Sequence, residues 1–325
     1  MTDFQVLVTS RSFGREYKEP LKILEGGGCE VNFPPDLGRP LTEEELLDLI
    51  IDTDGIIVGA DKITESVINK SNRLKVISKH GVGVDNIDLE AASKKGIVVT
   101  NVPDANYNAV ADLTFGLMLA IARLICEADR IVKEGRWEKV IGTELWEKTL
   151  GVVGVGRIGK AVIRRARGFD MKVLAYDVLE DDALAREYKL RYVSLEDVLR
   201  ESDFVTIHVP LTNETKGMIG EKELKMMKKT AYLINAARGE IVDEKALCRA
   251  LNENWIAGAA LDVFKNEPPV NSPLLKLKNV VLTPHIGAYS HEAIRKMDIA
   301  SAINLLNVLK GKQPLYQANA LLEKD

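Results

Sequence analysis

The sequence predicts an α/β fold in which two doubly wound parallel-sheet domains are joined by long helices. Short apolar runs alternate with helical patterns over the first hundred residues, and the same alternation resumes in the second half of the chain. Strands that alternate with helices form parallel sheets covered by helices on both faces. A chain of 325 residues is also long for one hydrophobic core, so two domains are expected.

The first domain is predicted to begin with a strand and to alternate regularly from there. The clearest helix start lies at Thr42, an N-cap with Glu45 at the capping-box position. Strands are predicted at 4–10, 29–33, 55–60, 74–78 and 97–101, and helices from about residue 14, at 41–50 and at 64–71.

A long apolar helical pattern at 105–135 follows the first domain. A helix that is apolar on nearly every side is buried, and at about 1.5 Å per residue this one would reach roughly 45 Å, enough to connect two domains. A final helix at 290–310 is expected to pack on the first domain. Between them, strands are predicted at 204–210, 230–237, 256–264 and 279–285, with helices at 221–229 and 243–252.

The most informative stretch is an apolar strand at 150–155 that runs into three glycines and then a helical pattern. Gly154 permits a tight turn, Gly156 lets the backbone approach a pyrophosphate, and Gly159 lets helix and strand pack closely. The helix N-terminus offers free N–H groups to the phosphates. Asp177 ends the next strand, where a carboxylate binds ribose hydroxyls. These features together predict a Rossmann-like dinucleotide-binding site.

Asp177 also indicates which dinucleotide is bound. Its charge would repel a 2′-phosphate, and the following Val178 and Leu179 supply no cation to bind one. We therefore expect NAD rather than NADP.

The predicted NAD-binding domain covers 102–286, and residues 1–101 with 287–325 form the predicted substrate-binding, flavodoxin-like domain.

Composition excludes several other classes of protein. A net charge of -4 and a pI near 5.8 give no electrostatic reason to expect nucleic acid or an anionic membrane as a partner. The N-terminus lacks the pattern of a signal peptide, and the longest apolar run, 113–122, is too short to span a bilayer. No metal-type spacing is found, and a cytoplasmic protein with reduced cysteines is expected; the cysteines are Cys29, Cys126 and Cys248.

Residues that end strands of the second domain are candidates for catalysis, because ligands of open parallel sheets bind at the carboxyl ends of the strands. Arg238 would hold a substrate carboxylate through its planar guanidinium. His285 would take the hydroxyl proton as hydride leaves, since an imidazole titrates near neutral pH. Glu267 would orient that imidazole, and Asp262 could hold the nicotinamide carboxamide. The set suits oxidation of a hydroxyl next to a carboxylate.

Each of these residues also has a purely structural explanation. Arg238 could cap a turn, Glu267 could be an exposed loop acid, and His285 could be a structural histidine. It is improbable that all three residues, on successive strand ends of one domain, have only structural roles. His208 is expected near the adenosine through its backbone, and His80 is read as structural or pocket-lining, as is His291.

The sequence resembles the D-isomer-specific 2-hydroxyacid dehydrogenase family, and within it the phosphoglycerate dehydrogenases. The resemblance covers nearly the whole chain. It is carried by the segments 79–101, 108–123, 142–160, 208–219, 234–247, 257–269 and 283–293.

The resemblance implies Arg238, Glu267 and His285 as the catalytic set, and a substrate carboxylate bound by the backbone of Val82 and Gly83. It implies dimers built through the nucleotide domains, and Trp137 resembles a residue that in some members reaches the partner's active site. The NAD contacts it implies are Arg157 and Ile158 at the pyrophosphate, Asp177 at the ribose, His208, Val209 and Pro210 near the adenosine, and Ala236 and Asp262 at the nicotinamide.

The chain departs from the family pattern in three places. Asp112 replaces a usual Glu, and Gly59 stands where phosphoglycerate dehydrogenases have a phosphate-binding Arg. Lys62 or Lys79 could substitute, although an ammonium does not bind phosphate as a guanidinium does. The chain also stops near the final helix, so a C-terminal serine-binding regulatory domain is not expected.

The sequence therefore predicts an NAD-dependent D-2-hydroxyacid dehydrogenase, with 3-phosphoglycerate, and hence serine biosynthesis, as the leading substrate and pathway. A glyoxylate or hydroxypyruvate reductase is the alternative, favoured if no phosphate is bound at Gly59. A non-enzymatic, dinucleotide-sensing protein like the corepressors of this fold is the third hypothesis.

Overall fold

The computed structural model describes residues 3–35 and 38–319. The chain forms two compact units, one made of Met1–Asn106 with Ala288–Asp325 and the other of Tyr107–Gly287. Each unit has its own parallel sheet, which confirms the predicted α/β class with two parallel-sheet domains.

The sheet of the first unit has five strands, all parallel, in the order β2-β1-β3-β4-β5. Its central strand β3 is buried along its whole length, as expected for a strand covered on both faces. The strands are Phe4–Val8 (β1), Cys29–Asn32 (β2), Gly55–Val58 (β3), Val76–Lys79 (β4) and Val98–Thr100 (β5).

Two cores lie on the two faces of this sheet. One face packs against the long final helix, whose Ala302 and Leu305 are fully buried beside Val6 and Val8 of β1, so the predicted return of this helix to the first domain is confirmed. The capping box at Thr42 and Glu45 is present. The helices are Glu19–Gly26 (α1), Glu43–Leu49 (α2), Glu65–Lys70 (α3), Leu89–Lys94 (α4) and His291–Leu309 (α12).

The second unit has a seven-stranded parallel sheet in the order β12-β11-β10-β9-β6-β7-β8. The chain order reverses between β6 and β9, which makes the carboxyl end of that pair the crevice for a ligand. The strands are Thr149–Val153 (β6), Lys172–Tyr176 (β7), Arg191–Tyr192 (β8), Phe204–Ile207 (β9), Tyr232–Asn235 (β10), Gly258–Leu261 (β11) and Val280–Leu282 (β12).

Helices cover both faces of the second sheet. Short 3-10 helices lie at Arg167–Phe169, Gly239–Ile241 and Pro273–Lys276. The α-helices are Tyr107–Ala122 (α5), Ile125–Lys133 (α6), Arg157–Ala166 (α7), Asp182–Tyr188 (α8), Leu195–Glu201 (α9), Glu221–Met226 (α10) and Glu244–Asn252 (α11).

The predicted continuous helix at 105–135 is wrong. It breaks at Leu124, which has a left-handed backbone with φ 55°, and α5 and α6 meet there at 62°. At the end of α5, the carbonyl of Ala122 accepts the N–H of Thr143 at 2.7 Å. Gly142 permits this approach, because a Cβ there would lie 2.5 Å from the same oxygen. Both helices belong to the second unit.

The described part of the chain contains no single helix that is long and apolar enough to cross a membrane. Together α5 and α6 reach that length and composition, but only as a pair bent at the break.

Other helices differ from the prediction in their ends. The first helix begins at Glu19 rather than near Gly14, whose positive φ of 67° belongs to a turn. The helix α10 ends at Met226, and its C-cap Met227 is already extended. Three short helices, α4, α8 and α9, were not predicted, although Asp88, Asp181 and Ser194 cap them at their N-termini.

Candidate active site

The candidate catalytic residues of the second unit all follow strands that are neighbours in its sheet. Arg238 follows β10, Asp262 follows β11, and His285 follows β12, with Glu267 in the loop after Asp262. The structure therefore brings the predicted cation, acids and imidazole to one edge of the sheet.

His285 and Glu267 form a hydrogen-bonded pair. The imidazole Nδ1 lies 2.7 Å from Glu267 Oε2, and Oε1 accepts the N–H of Phe264 at 3.1 Å. Both side chains remain partly open to solvent, with 46% of His285 and 35% of Glu267 exposed. The pair leaves Nε2 of His285 as the nitrogen that can exchange a proton with a substrate.

The charge of Glu267 is stabilised by its neighbours. Burial opposes ionisation, but the hydrogen bond and charge of His285, the Phe264 N–H and the charge of Arg238 outweigh it, so the pKa of Glu267 lies below its ordinary value. The carboxylate is therefore ionised throughout the neutral range and can stabilise a protonated imidazole.

The turn that carries Arg238 is fixed by the buried side chain of Asn235. Its Nδ2 donates to the carbonyl of Arg238 at 2.9 Å, and its Oδ1 accepts the N–H of Ala237 at 3.0 Å. Gly239 brings this turn against the next loop, because a Cβ there would lie 2.0 Å from the carbonyl carbon of Phe264. The loops of Arg238 and Glu267 thus touch through backbone. Neither Asn235 nor Gly239 was predicted as a site residue.

Asp262 holds the turn that carries His285. Its Oδ1 accepts from Thr283 Oγ1 at 2.6 Å and from the Ile286 N–H at 2.8 Å, and its Oδ2 accepts the Gly287 N–H at 2.8 Å. Burial raises the pKa of Asp262, although these hydrogen bonds oppose the rise. His285 sits in this turn with a positive φ of 55°. Binding of the nicotinamide carboxamide by Asp262 stays a prediction.

The glycine corner fits a dinucleotide. Gly154 has a φ of +95°, and a Cβ there would lie 2.7 Å from the His208 carbonyl carbon. A Cβ on Gly159 would lie 2.1 Å from the Gly154 carbonyl oxygen, so this glycine lets α7 pack on β6. A Cβ on Gly156 would meet no atom of the described chain within 4 Å, which leaves space at the N-terminus of α7 for a pyrophosphate.

The remaining predicted NAD contacts surround this corner. Asp177 follows β7, and its carboxylate accepts the N–H of Val155 at 2.6 Å and of Leu179 at 3.0 Å. Arg157 and Ile158 open α7, and Ala236 follows β10. The segment His208, Val209 and Pro210 follows β9.

His208 is partly buried, and its ring Nδ1 is closed off from solvent. Its Nε2 lies 2.9 Å from Thr206 Oγ1, and within the described residues its Nδ1 has no partner. Burial lowers the pKa of His208 to about 3, so this histidine stays neutral. His208 therefore does not exchange a proton near neutral pH.

Val82 and Gly83 lie in the first unit, in the loop after β4. Among described residues, no acceptor binds their backbone N–H groups, and both residues are partly exposed. Asn101 Nδ2 holds the carbonyl of Val82 at 2.8 Å, and Val102 N–H holds the carbonyl of Gly81 at 2.9 Å. Fixed carbonyls and free N–H groups suit the binding of an anion, as predicted for the substrate carboxylate.

The chain is similar to known proteins over most of its length. The family model described as D-isomer specific 2-hydroxyacid dehydrogenase, NAD binding domain, matches residues 115–287. A glyoxylate reductase from Korarchaeum cryptofilum (strain OPF8) is 45% identical over 296 residues, which are 88% of this chain and 89% of that relative.

Two further proteins are similar over most of this chain. A D-3-phosphoglycerate dehydrogenase from Methanocaldococcus jannaschii is 46% identical over 91% of this chain and 56% of its own length. The solved structure of a D-lactate dehydrogenase from Aquifex aeolicus, complexed with NAD and lactic acid, matches with a TM-score of 0.82 at 33% identity. The match covers 94% of this chain and 96% of that chain.

Fold and site define an NAD-dependent oxidoreductase that acts on CH–OH groups. The chain belongs to the D-isomer-specific 2-hydroxyacid dehydrogenase family.

Proposed function

We propose that this dehydrogenase reduces small unphosphorylated 2-oxo acids, with glyoxylate and hydroxypyruvate as its substrates. The observation that carries the proposal is Gly59, at the position where the resemblance to phosphoglycerate dehydrogenases calls for a phosphate-binding Arg. The name of the Korarchaeum relative, glyoxylate reductase, supports the same substrate class.

The surroundings of Gly59 support this choice. A Cβ on Gly59 would lie 3.2 Å from the Cα of Ser10, so a larger side chain has little room there. Lys79, one possible substitute cation, donates from Nζ to the Gly59 carbonyl at 2.6 Å and to Asn86 Oδ1 at 2.9 Å. Its ammonium is already engaged in holding the loop. Lys62, the other possible substitute, is exposed and makes no such contact with the described residues.

The candidate residues would act on a 2-oxo acid as follows. Arg238 binds the substrate carboxylate and fixes the reacting carbon. In the first unit, the N–H groups of Val82 and Gly83 are the donors proposed for a carboxylate. NADH, when bound, supplies the hydride that C2 receives. His285, protonated, donates its Nε2 proton to the former carbonyl oxygen and becomes neutral, and Glu267 stabilises the protonated form before transfer. The product is the 2-hydroxy acid.

3-Phosphoglycerate is the second candidate substrate. It is favoured by the 46% identity to the D-3-phosphoglycerate dehydrogenase from Methanocaldococcus jannaschii, of which this chain spans 56%. In that case Lys62, or Lys79 released from the Gly59 carbonyl, would bind the phosphate.

A homodimer built through the second unit belongs to the same proposal. Apolar side chains are unusually exposed on α6 and the segment that follows it, where Trp137 and Ile141 are 86% and 94% exposed. Ile125, Val132 and Trp146 are exposed nearby in the sequence. An apolar surface of this kind marks an interface, and a second copy is the occupant we propose. Light scattering at micromolar concentration tests it, since a monomeric mass would reject the dimer.

Initial rates with a substrate panel test the proposed function. The panel pairs glyoxylate and hydroxypyruvate with NADH, and 3-phosphoglycerate, D-glycerate and D-lactate with NAD. A kcat/KM for glyoxylate or hydroxypyruvate that exceeds the other values supports the proposal. A clear preference for 3-phosphoglycerate rejects it; the variant Lys62→Ala, which should then lose that preference, would show whether Lys62 binds the phosphate.

A further inference from the structure

A buried network of Ser10, His80 and Asp298 lies at the carboxyl edge of the first unit's sheet. Ser10 follows β1, His80 follows β4, and Asp298 lies on α12. His80 Nδ1 is 3.0 Å from Ser10 Oγ, and Nε2 is 2.7 Å from Asp298 Oδ1. The His80 side chain is 3% exposed and that of Asp298 0%. The proposed reaction uses none of these three side chains.

Asp298 uses both of its carboxylate oxygens. Oδ1 accepts from His80, and Oδ2 accepts the N–H of Gly14 at 3.1 Å. Phe13 packs edge-on against the His80 ring, with the centroids 5.9 Å apart. A buried carboxylate is costly unless its acceptors are satisfied, and here it joins one helix to two separate loops. Asp298 therefore fixes the loop after β1 and the loop after β4 relative to each other.

The loop after β4 is the one with free N–H groups. His80 directly precedes Gly81, Val82 and Gly83, and its own N–H donates to the Val58 carbonyl at 2.9 Å. The carbonyls of Gly81 and Val82 are held from the other side by Val102 and Asn101. The His80 ring thus holds the start of this loop, and the carbonyls of the next two residues, Gly81 and Val82, are hydrogen-bonded already.

We propose that Asp298, acting through His80 and Ser10, positions the Val82 and Gly83 N–H groups for the substrate carboxylate. The three are positioning residues, and none of them need touch the substrate. The inference rests on the carboxylate role given to Val82 and Gly83 in the proposed function. It holds for any 2-oxo or 2-hydroxy acid, because all of these carry the same carboxylate.

The variant Asp298→Asn tests the proposal, because an amide offers one acceptor oxygen where the carboxylate offers two. Either the Gly14 contact is lost, or the amide NH2 faces His80 Nε2 and that nitrogen loses its charged acceptor. The expected result is a KM for the 2-oxo acid raised by at least about tenfold, with kcat within about threefold of wild type. The inhibition constant of oxamate, a carboxylate probe, should rise with KM. The dissociation constant of NADH should stay unchanged, since the nucleotide corner belongs to the other unit.

Ser301→Ala is the matched control on the same helix. Ser301 is fully buried, and its hydroxyl has no partner among the described residues, so its removal breaks no side-chain hydrogen bond. KM and the oxamate constant should stay at wild-type values in this variant. An equal rise of KM in Ser301→Ala and Asp298→Asn would assign the effect to general loosening of α12 and overturn the proposal.

Ser10→Ala keeps the test decisive if Asp298→Asn does not fold. It removes the hydrogen bond at Nδ1 and leaves the buried carboxylate paired, and the expected rise in KM and in the oxamate constant is about threefold or more. Wild-type values of both constants in Ser10→Ala, or a loss of kcat with unchanged KM, would reject the positioning role. All variants are assayed with the acid that wild type prefers. If glyoxylate is not a substrate, the wild-type substrate panel alone shows it. The effect of the variants on KM and on the oxamate constant is a separate result.

Discussion

Glu267 Oε2 lies 2.7 Å from His285 Nδ1, while the other oxygen of the same carboxylate accepts the Phe264 N–H. The carboxylate therefore holds the ring in one orientation and faces it with a negative charge. Because the pKa of Glu267 is lowered from its ordinary value of 4.5, this charge persists at every pH above that value.

The variant Glu267→Gln should shift the pH profile of the reduction. The amide keeps a hydrogen bond but removes the charge that stabilises a protonated imidazole, so the proton donor is lost at lower pH. The alkaline limb of kcat/KM should move toward acid by roughly one pH unit or more. Rates measured between about pH 5 and 9 check this, and an alkaline limb at the wild-type position would show that Glu267 acts only through geometry.

His285→Gln should lower turnover by at least about a hundredfold without weakening NADH binding. The glutamine amide cannot exchange a proton near neutral pH, whereas the turn itself is held through Asp262. His291→Gln is the control, because that histidine is 75% exposed and lies in the other unit. Turnover and NADH titration are measured for both. Near-normal turnover in His285→Gln would remove His285 from the mechanism.

Gly239→Ala should separate the loops of Arg238 and Glu267. The new Cβ would lie 2.0 Å from backbone of Phe264, so one loop must move, and kcat/KM should fall by about a hundredfold or more. The melting temperature should fall as well. Gly116→Ala, an exposed helical position where a Cβ meets nothing within 4 Å, should lower neither quantity. Unimpaired catalysis in Gly239→Ala would mean that the close approach is not needed.

Substitution of Gly156 and substitution of Gly159, both in the nucleotide corner, should have different effects on stability. Gly156→Ala has room in the free protein, so its melting temperature should equal that of wild type, while NADH binding weakens by at least about tenfold. Gly159→Ala places a Cβ 2.1 Å from the Gly154 carbonyl oxygen and should lower the melting temperature too. Fluorescence titration and thermal melting of both variants check this. Equal stability losses would contradict the assignment of Gly156 to the pyrophosphate.

The sequence predicted the parallel sheets because the strands are short apolar runs that end at recognisable residues. It did not predict the break at Leu124, since neither glycine nor proline marks it. At the break, the carbonyl of Ala122 accepts the N–H of Thr143, and a contact with a segment so far along the chain leaves no periodic pattern in the local sequence. The missed helices are six or seven residues long, too short for a helical repeat to show.

The candidate site residues were predicted from their positions at the ends of strands. Arg238, Asp262 and His285 each follow a strand, and the parallel sheet brings such positions to one edge. The supporting contacts were missed because they depend on which loops touch. Gly239 matters only because the backbone of Phe264 lies against it, and no spacing rule connects the two positions.

The path of the chain through the two units has a consequence for biosynthesis. The second unit, Tyr107–Gly287, is continuous, whereas the first needs α12 from the far end of the chain to bury Val6 and Val8 of its first strand. Domains generally fold as units while the chain emerges from the ribosome, usually with the N-terminal one first. In this chain we expect the reverse order, because the whole nucleotide corner is made before α12, which supplies one of the two cores of the first sheet. Until α12 is made, Val6 and Val8 lack the helix that buries them, and uncovered apolar surface of this kind favours aggregation of a nascent chain.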